Sequence, residues 1–171
     1  MRTFIASCLA AISLTLVSFR PNTVLVVTSA AFSNNGYIPS KYSCEGIEVS
    51  PPLQVSNVPS TTLSIAVILH DPDAPVDGGV THWVMWNLDK NGYIPENYKK
   101  ADQGMNTEGR KGYLGMCPPK GTHRYFFRVY ALDKRIDLMD KPNIGKEDLE
   151  REMQGHILAQ GELVGLYKKT K

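Results

Sequence analysis

Excess charge is what this chain most plainly lacks. Nineteen Lys and Arg stand against seventeen Asp and Glu in 171 residues. So balanced a chain offers no basic field to a nucleic-acid backbone, which excludes nucleic acid as a partner. The paired cations Lys99-Lys100, Arg110-Lys111 and Lys168-Lys169 read as solvated surface. Histidine is limited to four positions and cysteine to three. There is no His-x-x-x-His pair, no Gly-x-Ser-x-Gly elbow and no serine with an evident base, so no standard metal site or serine hydrolase is legible. The reading calls for no cofactor and no metal. Repeats and low-complexity tracts are also missing.

Long apolar runs are absent except at the start. Arg2 is followed by the uncharged run Phe4–Phe19 and then by Arg20-Pro21. A positive start, a short apolar run and polar residues form the pattern of a secretory signal peptide. The run is shorter than the ~20 residues of a membrane span, although an uncleaved anchor is the alternative. Residues 1–22 are therefore read as a leader, and residues 23–171 as one domain that is periplasmic or secreted. No clean cleavage triplet precedes Thr28-Ser-Ala30. The box Ile5-Ala-Ser-Cys8 lies ahead of most of the apolar run, the wrong place for a lipid-acceptor cysteine. A leader carrying Arg2 and Arg20 takes two basic and no acidic residues with it, leaving a neutral chain. Cys8 leaves too, so Cys44 and Cys117 remain. Two cysteines in an exported chain suggest a disulfide. The alternative is a reactive thiol at Cys117, beside Pro118-Pro119 and near His123.

What is present is a succession of short β-type runs. Val24–Ser29 reads as a first strand, Asn34-Asn35-Gly36 as a turn, and Leu53–Val55 as a strand bracketed by prolines. The stretch from Leu63 to Leu88 organises the rest. Two apolar, β-branched and aromatic runs, Leu63–His70 and His82–Leu88, flank Asp71-Pro-Asp-Ala-Pro75 and a glycine-containing loop. Paired as a hairpin, they bring Asp71, Asp73 and His82 to one rim of a sheet. Asp89–Lys111 shows no period, and a structureless stretch of that length in a compact domain is often functional. In Thr122–Leu132 alternation places His123, Tyr125, Phe127 and Val129 on one face, and Arg124, Phe126, Arg128 and Tyr130 on the other. Leu149, Met153 and Ile157 recur at helical spacing, which predicts a helix over Lys146–Met153 ending near Gly155. Ala159–Tyr167 reads as a closing strand. The fold class is mainly β, an antiparallel sandwich of two packed sheets with one or two short helices near the C-terminus.

Several motifs in order, Asp71-Pro-Asp-Ala-Pro75, His82 opening a strand, and Pro118-Pro119-Lys-Gly-Thr-His-Arg-Tyr125, resemble the phosphatidylethanolamine-binding protein family. The nearest likeness is to its bacterial Raf kinase inhibitor-like branch. Tyr42-Ser-Cys44, Ser50-Pro-Pro-Leu53, Met153-Gln-Gly-His-Ile-Leu-Ala159 and Gly165-Leu-Tyr167 extend the resemblance from about Val24 to the end. It implies a β-sandwich with an anion pocket at one end, formed here by Asp71, His82, His123 and Tyr125. Asp73, Pro75, Cys117, Pro118 and Pro119 would shape its rim. Val80 stands where eukaryotic relatives carry a tryptophan near the pocket.

Two imidazoles and a phenol supply donors for a phosphate or carboxylate group, and Asp71 fits as the partner that orients an imidazole. Without the resemblance, Asp71 and Asp73 read as turn formers, Tyr125 as core, and the two histidines as evenly divided between structure and function. Trp83 and Trp86 read as packing residues, and His70 and His156 as structural. Three function classes stand: a binding module for a small anionic or phosphorylated ligand, an inhibitor or interaction module for a kinase or protease, and a hydrolase using the His/Asp cluster.

Overall fold

The computed structural model describes residues 24–138 and 141–170. The expected leader lies outside them. A six-stranded sheet forms the centre. Its strands are β2 (Gly36–Tyr37), β4 (Ser64–Asp71), β5 (Val80–Leu88), β7 (Asp102–Gln103), β8 (Thr122–Leu132) and β9 (Ile157–Lys168). They lie in the order β2-β9-β8-β4-β5-β7. All neighbours pair antiparallel except β2, which runs parallel to β9 at the edge. A three-stranded sheet of β1 (Val26–Thr28), β3 (Leu53–Ser56) and β6 (Tyr93–Ile94) covers one face. The helix α1 (Lys146–Met153) covers part of the other.

This layering explains why β4 is an unbroken apolar run. Every residue from Ser64 to Asp71 is buried, because each face of the strand meets its own cluster. Val67, Leu69, Trp83, Tyr125 and Phe127 pack against Val27, Leu53, Val55 and Ile94 of the small sheet. Ala66, Ile68, Val84 and Trp86 pack against Leu149 and Met153 of α1. The two tryptophans fill opposite faces as packing residues. The alternation expected in β8 is observed: His123, Tyr125, Phe127 and Val129 are buried, whereas Arg124 is exposed.

The aperiodic stretch Asp89–Lys111 holds β6 and β7, each two residues long. A strand of two residues has no measurable period, so sequence patterning cannot reveal it. The helix begins at its expected residue, capped by Gly145 with Asp148 reaching back to the cap N–H at 3.2 Å. It ends just before Gly155, whose φ of +79° turns the chain. Cys44 and Cys117 form a disulfide with a Cα–Cα distance of 5.5 Å. Among the described residues, no helix is long and apolar enough to cross a membrane.

Candidate functional site

The β4–β5 hairpin places the first two residues of the site. Asp71 ends β4 and is 2% exposed. Its Oδ1 accepts the N–H of Asp73 at 2.8 Å, so the turn is closed by the side chain that begins it. Gly79 brings the loop back at φ +70°, and a Cβ there would lie 2.4 Å from the Asp71 carbonyl oxygen. Only glycine fits so close an approach at that backbone angle.

His82 lies two residues from Val80, so alternation sets it on the face of Asp71, and an irregularity follows it. Asp71 pairs with Val80 and His70 with Thr81, but Leu69 pairs with Trp83. His82 is the extra residue of a β-bulge. The bulge turns Trp83 to that face as well, where strict alternation would send it to the opposite one. The hairpin pairing therefore brings Asp71 and His82 to one rim by period two alone. His82 is 4% exposed and its Nδ1 lies 2.9 Å from the Leu114 carbonyl. Burial lowers its pKa below the ordinary imidazole value, against the opposing pull of the Leu114 carbonyl and of Asp71.

Strand β8 contributes the other two residues. His123 Nδ1 lies 2.8 Å from Asp71 Oδ2, and both side chains are nearly inaccessible. With Oδ1 on the Asp73 N–H and Oδ2 on His123, each oxygen of Asp71 has a partner. Tyr125 follows two residues on, fully buried, with its ring edge-to-face against His82 at 5.2 Å between centroids. Burial and then the Asp71 carboxylate raise the pKa of Tyr125, which keeps its hydroxyl protonated. Although the carboxylate is near, the hydroxyl finds no partner of good hydrogen-bond geometry. Three buried side-chain polar atoms lack partners among the described residues, and two of them, His82 Nε2 and Tyr125 Oη, belong here. Buried polar atoms are rarely left unmet, which points to a missing partner.

These four residues line one cavity of about 360 Å3. Pro75, Val80, Cys117, Pro118 and Pro119 line it too. Asp73 does not. It faces outward and accepts the Arg124 backbone N–H at 2.9 Å and its Nε and Nη2 at 2.9 and 2.7 Å. Those hydrogen bonds hold its pKa down at about 2. Asp73 therefore fastens the rim to β8 from outside the cavity.

Two wall segments escape the sequence reading. Cys44 and Glu48 form one side with Leu114, Gly115 and Cys117. The segments are joined by the disulfide, by Cys44 N–H to the Met116 carbonyl at 3.1 Å, and by Gly115 N–H to Glu48 Oε1 at 3.0 Å. Thr107, Glu108 and Arg110 stand at the mouth. Asn106 shapes that loop, its Oδ1 accepting the N–H groups of Glu108 and Arg110. An Asn followed by Gly109 in an aperiodic stretch signals such a turn, but nothing in the sequence ties it to this cavity.

Comparison with known proteins agrees with this architecture. The family model for phosphatidylethanolamine-binding protein matches residues 28–168. A UPF0098 protein of Methanothermobacter thermautotrophicus is 46% identical over 147 residues, covering 81% of this chain and 95% of that protein. The crystal structure of a phosphatidylethanolamine-binding protein homologue from Chlamydia trachomatis superposes with a TM-score of 0.81 at 42% identity. It covers 86% of this chain and 99% of the other. Escherichia coli YbcL, described as a member of the mammalian PEBP family, gives a TM-score of 0.78 at 31% identity over 85% of this chain and 99% of its own. The chain belongs to the phosphatidylethanolamine-binding protein family.

Proposed function

We propose that this chain is an exported small-ligand binding protein whose cavity holds the anionic group, phosphate or carboxylate, of its ligand. One observation carries the reading: Asp71, His82, His123 and Tyr125, from three strands, converge on a cavity whose floor has two unmet polar atoms. Its volume of about 360 Å3 suits a small ligand or the head of a larger one.

The recognition chemistry follows from the partners. Tyr125 offers an O–H. His123 has Nδ1 committed to Asp71, so Nε2 is the nitrogen left for a ligand. Asp71 accepts from Nδ1 and orients the ring, so that Nε2 is aimed at the ligand. Because both Asp71 oxygens are engaged, the carboxylate orients His123 and does not meet the anion with bare lone pairs. The disulfide fits an oxidising compartment outside the cytoplasm, in keeping with a cleaved leader and a single domain over residues 23–171. N-terminal sequencing of the protein recovered from a bacterial periplasm tests that part; an intact Met1 contradicts cleavage.

Isothermal titration with phosphate, phosphoethanolamine and acetate tests the pocket. Wild type binds at least one of them. Tyr125→Phe and His123→Ala each weaken binding by about tenfold or more, as expected for one lost charge-assisted hydrogen bond. Equal binding by His123→Ala and wild type would sink the assignment.

A further inference from the structure

His82 offers the cavity an acceptor. Its Nδ1 lies 2.9 Å from the Leu114 carbonyl oxygen, which can only accept, so the proton of that hydrogen bond sits on Nδ1. A neutral imidazole has one N–H, and Nε2 is then a bare lone pair. That Nε2 is buried and has no partner. Beside it, across an edge-to-face ring contact of 5.2 Å, stands the unpartnered hydroxyl of Tyr125. The floor thus carries one unmet acceptor and one unmet donor side by side. A group that satisfies both must accept a hydrogen bond from Tyr125 and donate one to His82.

We infer that the pocket selects an oxyanion that still carries a proton, a hydrogenphosphate or the monoanion of a phosphomonoester, over one that has none, such as sulfate or a phosphodiester. This rests on the anion-binding reading above and narrows it. A bare oxyanion would set one of its lone pairs against that of His82. The mismatch is relieved only by adding a proton to the imidazole, because Nδ1 has no room to give one up.

The surroundings do not add that proton readily. The groups facing His82 are Asp71 from β4, His123 and Tyr125 from β8, and Glu48, Glu108 and Arg110 from the walls and mouth. Arg110 is paired with Glu108. Burial lowers the pKa of the ring and outweighs the Leu114 carbonyl, Asp71, the Gly115 carbonyl and Glu108, which favour the imidazolium.

Calorimetry with inorganic phosphate and sulfate between pH 7.5 and 8.5, repeated in buffers of different ionisation enthalpy, tests the inference. Phosphate keeps a proton throughout that range. It is expected to bind wild type at least about tenfold more tightly than sulfate, the cost of facing an unmet buried acceptor. Sulfate binding is expected to take up one more proton than phosphate binding and to strengthen as pH falls. His123 is unchanged in His82→Gln, so the change from wild type to that variant isolates His82. His82→Gln, whose amide can turn its NH2 toward the ligand, is expected to bring the affinity ratio close to one. If that variant does not fold, the wild-type proton count still decides. Methyl phosphate separates the two sources. Its last ionisation lies near pH 6, so it should weaken above that pH, and tighter binding than inorganic phosphate at pH 5.5 would mark an ester as the ligand. Equal affinity for sulfate and phosphate with equal proton uptake overturns the inference and leaves the anion pocket standing. Binding of neither ion overturns both.

Discussion

His70 and His82 are both buried histidines of one hairpin, and they lie on opposite faces of the same sheet. His70 sits on the side of α1, with its Nδ1 3.4 Å from the Thr81 hydroxyl and with Lys146 and Arg128 as neighbouring cations. His82 sits in the cavity, with one nitrogen on a carbonyl and the other unmet. Burial lowers the pKa of each. A shifted histidine is therefore no sign of function by itself; the difference is made by what surrounds it. His70 lines no part of the cavity that His82 enters, and its strand neighbours Ala66 and Ile68 pack against α1. The other face is left open at one end, where the small sheet stops short and two loops joined by a disulfide build a wall instead.

Breaking either face should therefore have different consequences. The largest effect is expected from Cys44→Ser with Cys117→Ser. The bond closes a loop of 73 residues, and its loss costs roughly 4 kcal/mol in the chain-entropy description. Denaturant unfolding with and without reductant measures that. The wall carrying Leu114 should loosen as well, so phosphate binding should fall with stability. Leu149→Ala removes a fully buried side chain from the helix face. A loss of about 3 kcal/mol is expected, but phosphate affinity of the folded fraction should stay within about twofold of wild type, a difference of under about 0.5 kcal/mol. A large affinity loss in Leu149→Ala would show that the two faces are not separable.

A smaller effect has the opposite sign. Tyr125→Phe removes a buried hydroxyl that has no partner. Unfolding should show stability unchanged or raised by about 1 kcal/mol, while ligand affinity falls. That trade is what a site kept for binding predicts and a packing tyrosine does not. The smallest effect concerns the rim. Asp73 has its pKa lowered to about 2 by Arg124, so the stability it contributes is complete above its unfolded value near 4 and is lost as pH falls toward 2. Asp73→Asn should flatten that part of the acid limb in a pH-dependent melt, slightly lowering stability at neutral pH and leaving it nearly unchanged near pH 2.

The parts of this contrast differ in how far the sequence reveals them. Strand β8 is legible because Thr122–Ala131 keeps a period of two, which sets His123 and Tyr125 on one face. Helix α1 is legible because Leu149 and Met153 repeat at the helical period. The disulfide is expected from the two cysteines that lie beyond the leader read over residues 1–22. The position of His82 is legible from the hairpin, whereas the bulge that sets Trp83 beside it on the same face depends on register against β4, which no local pattern encodes. Glu48, Thr107, Glu108 and Arg110 are illegible as site residues for a related reason. They reach the cavity through hydrogen bonds and a disulfide between segments far apart in sequence. Asp73 is read as a rim residue, and the part that sequence does not show is its partner: Arg124 takes its side chain outside the cavity.

The central claim is that an anionic group sits between His82, His123 and Tyr125. A crystal of the protein soaked in phosphate is the most direct measurement of it. The expected result is a bound ion at hydrogen-bond distance, about 3 Å, from Tyr125 Oη and from His82 Nε2. An empty cavity in a crystal that binds phosphate elsewhere would contradict it.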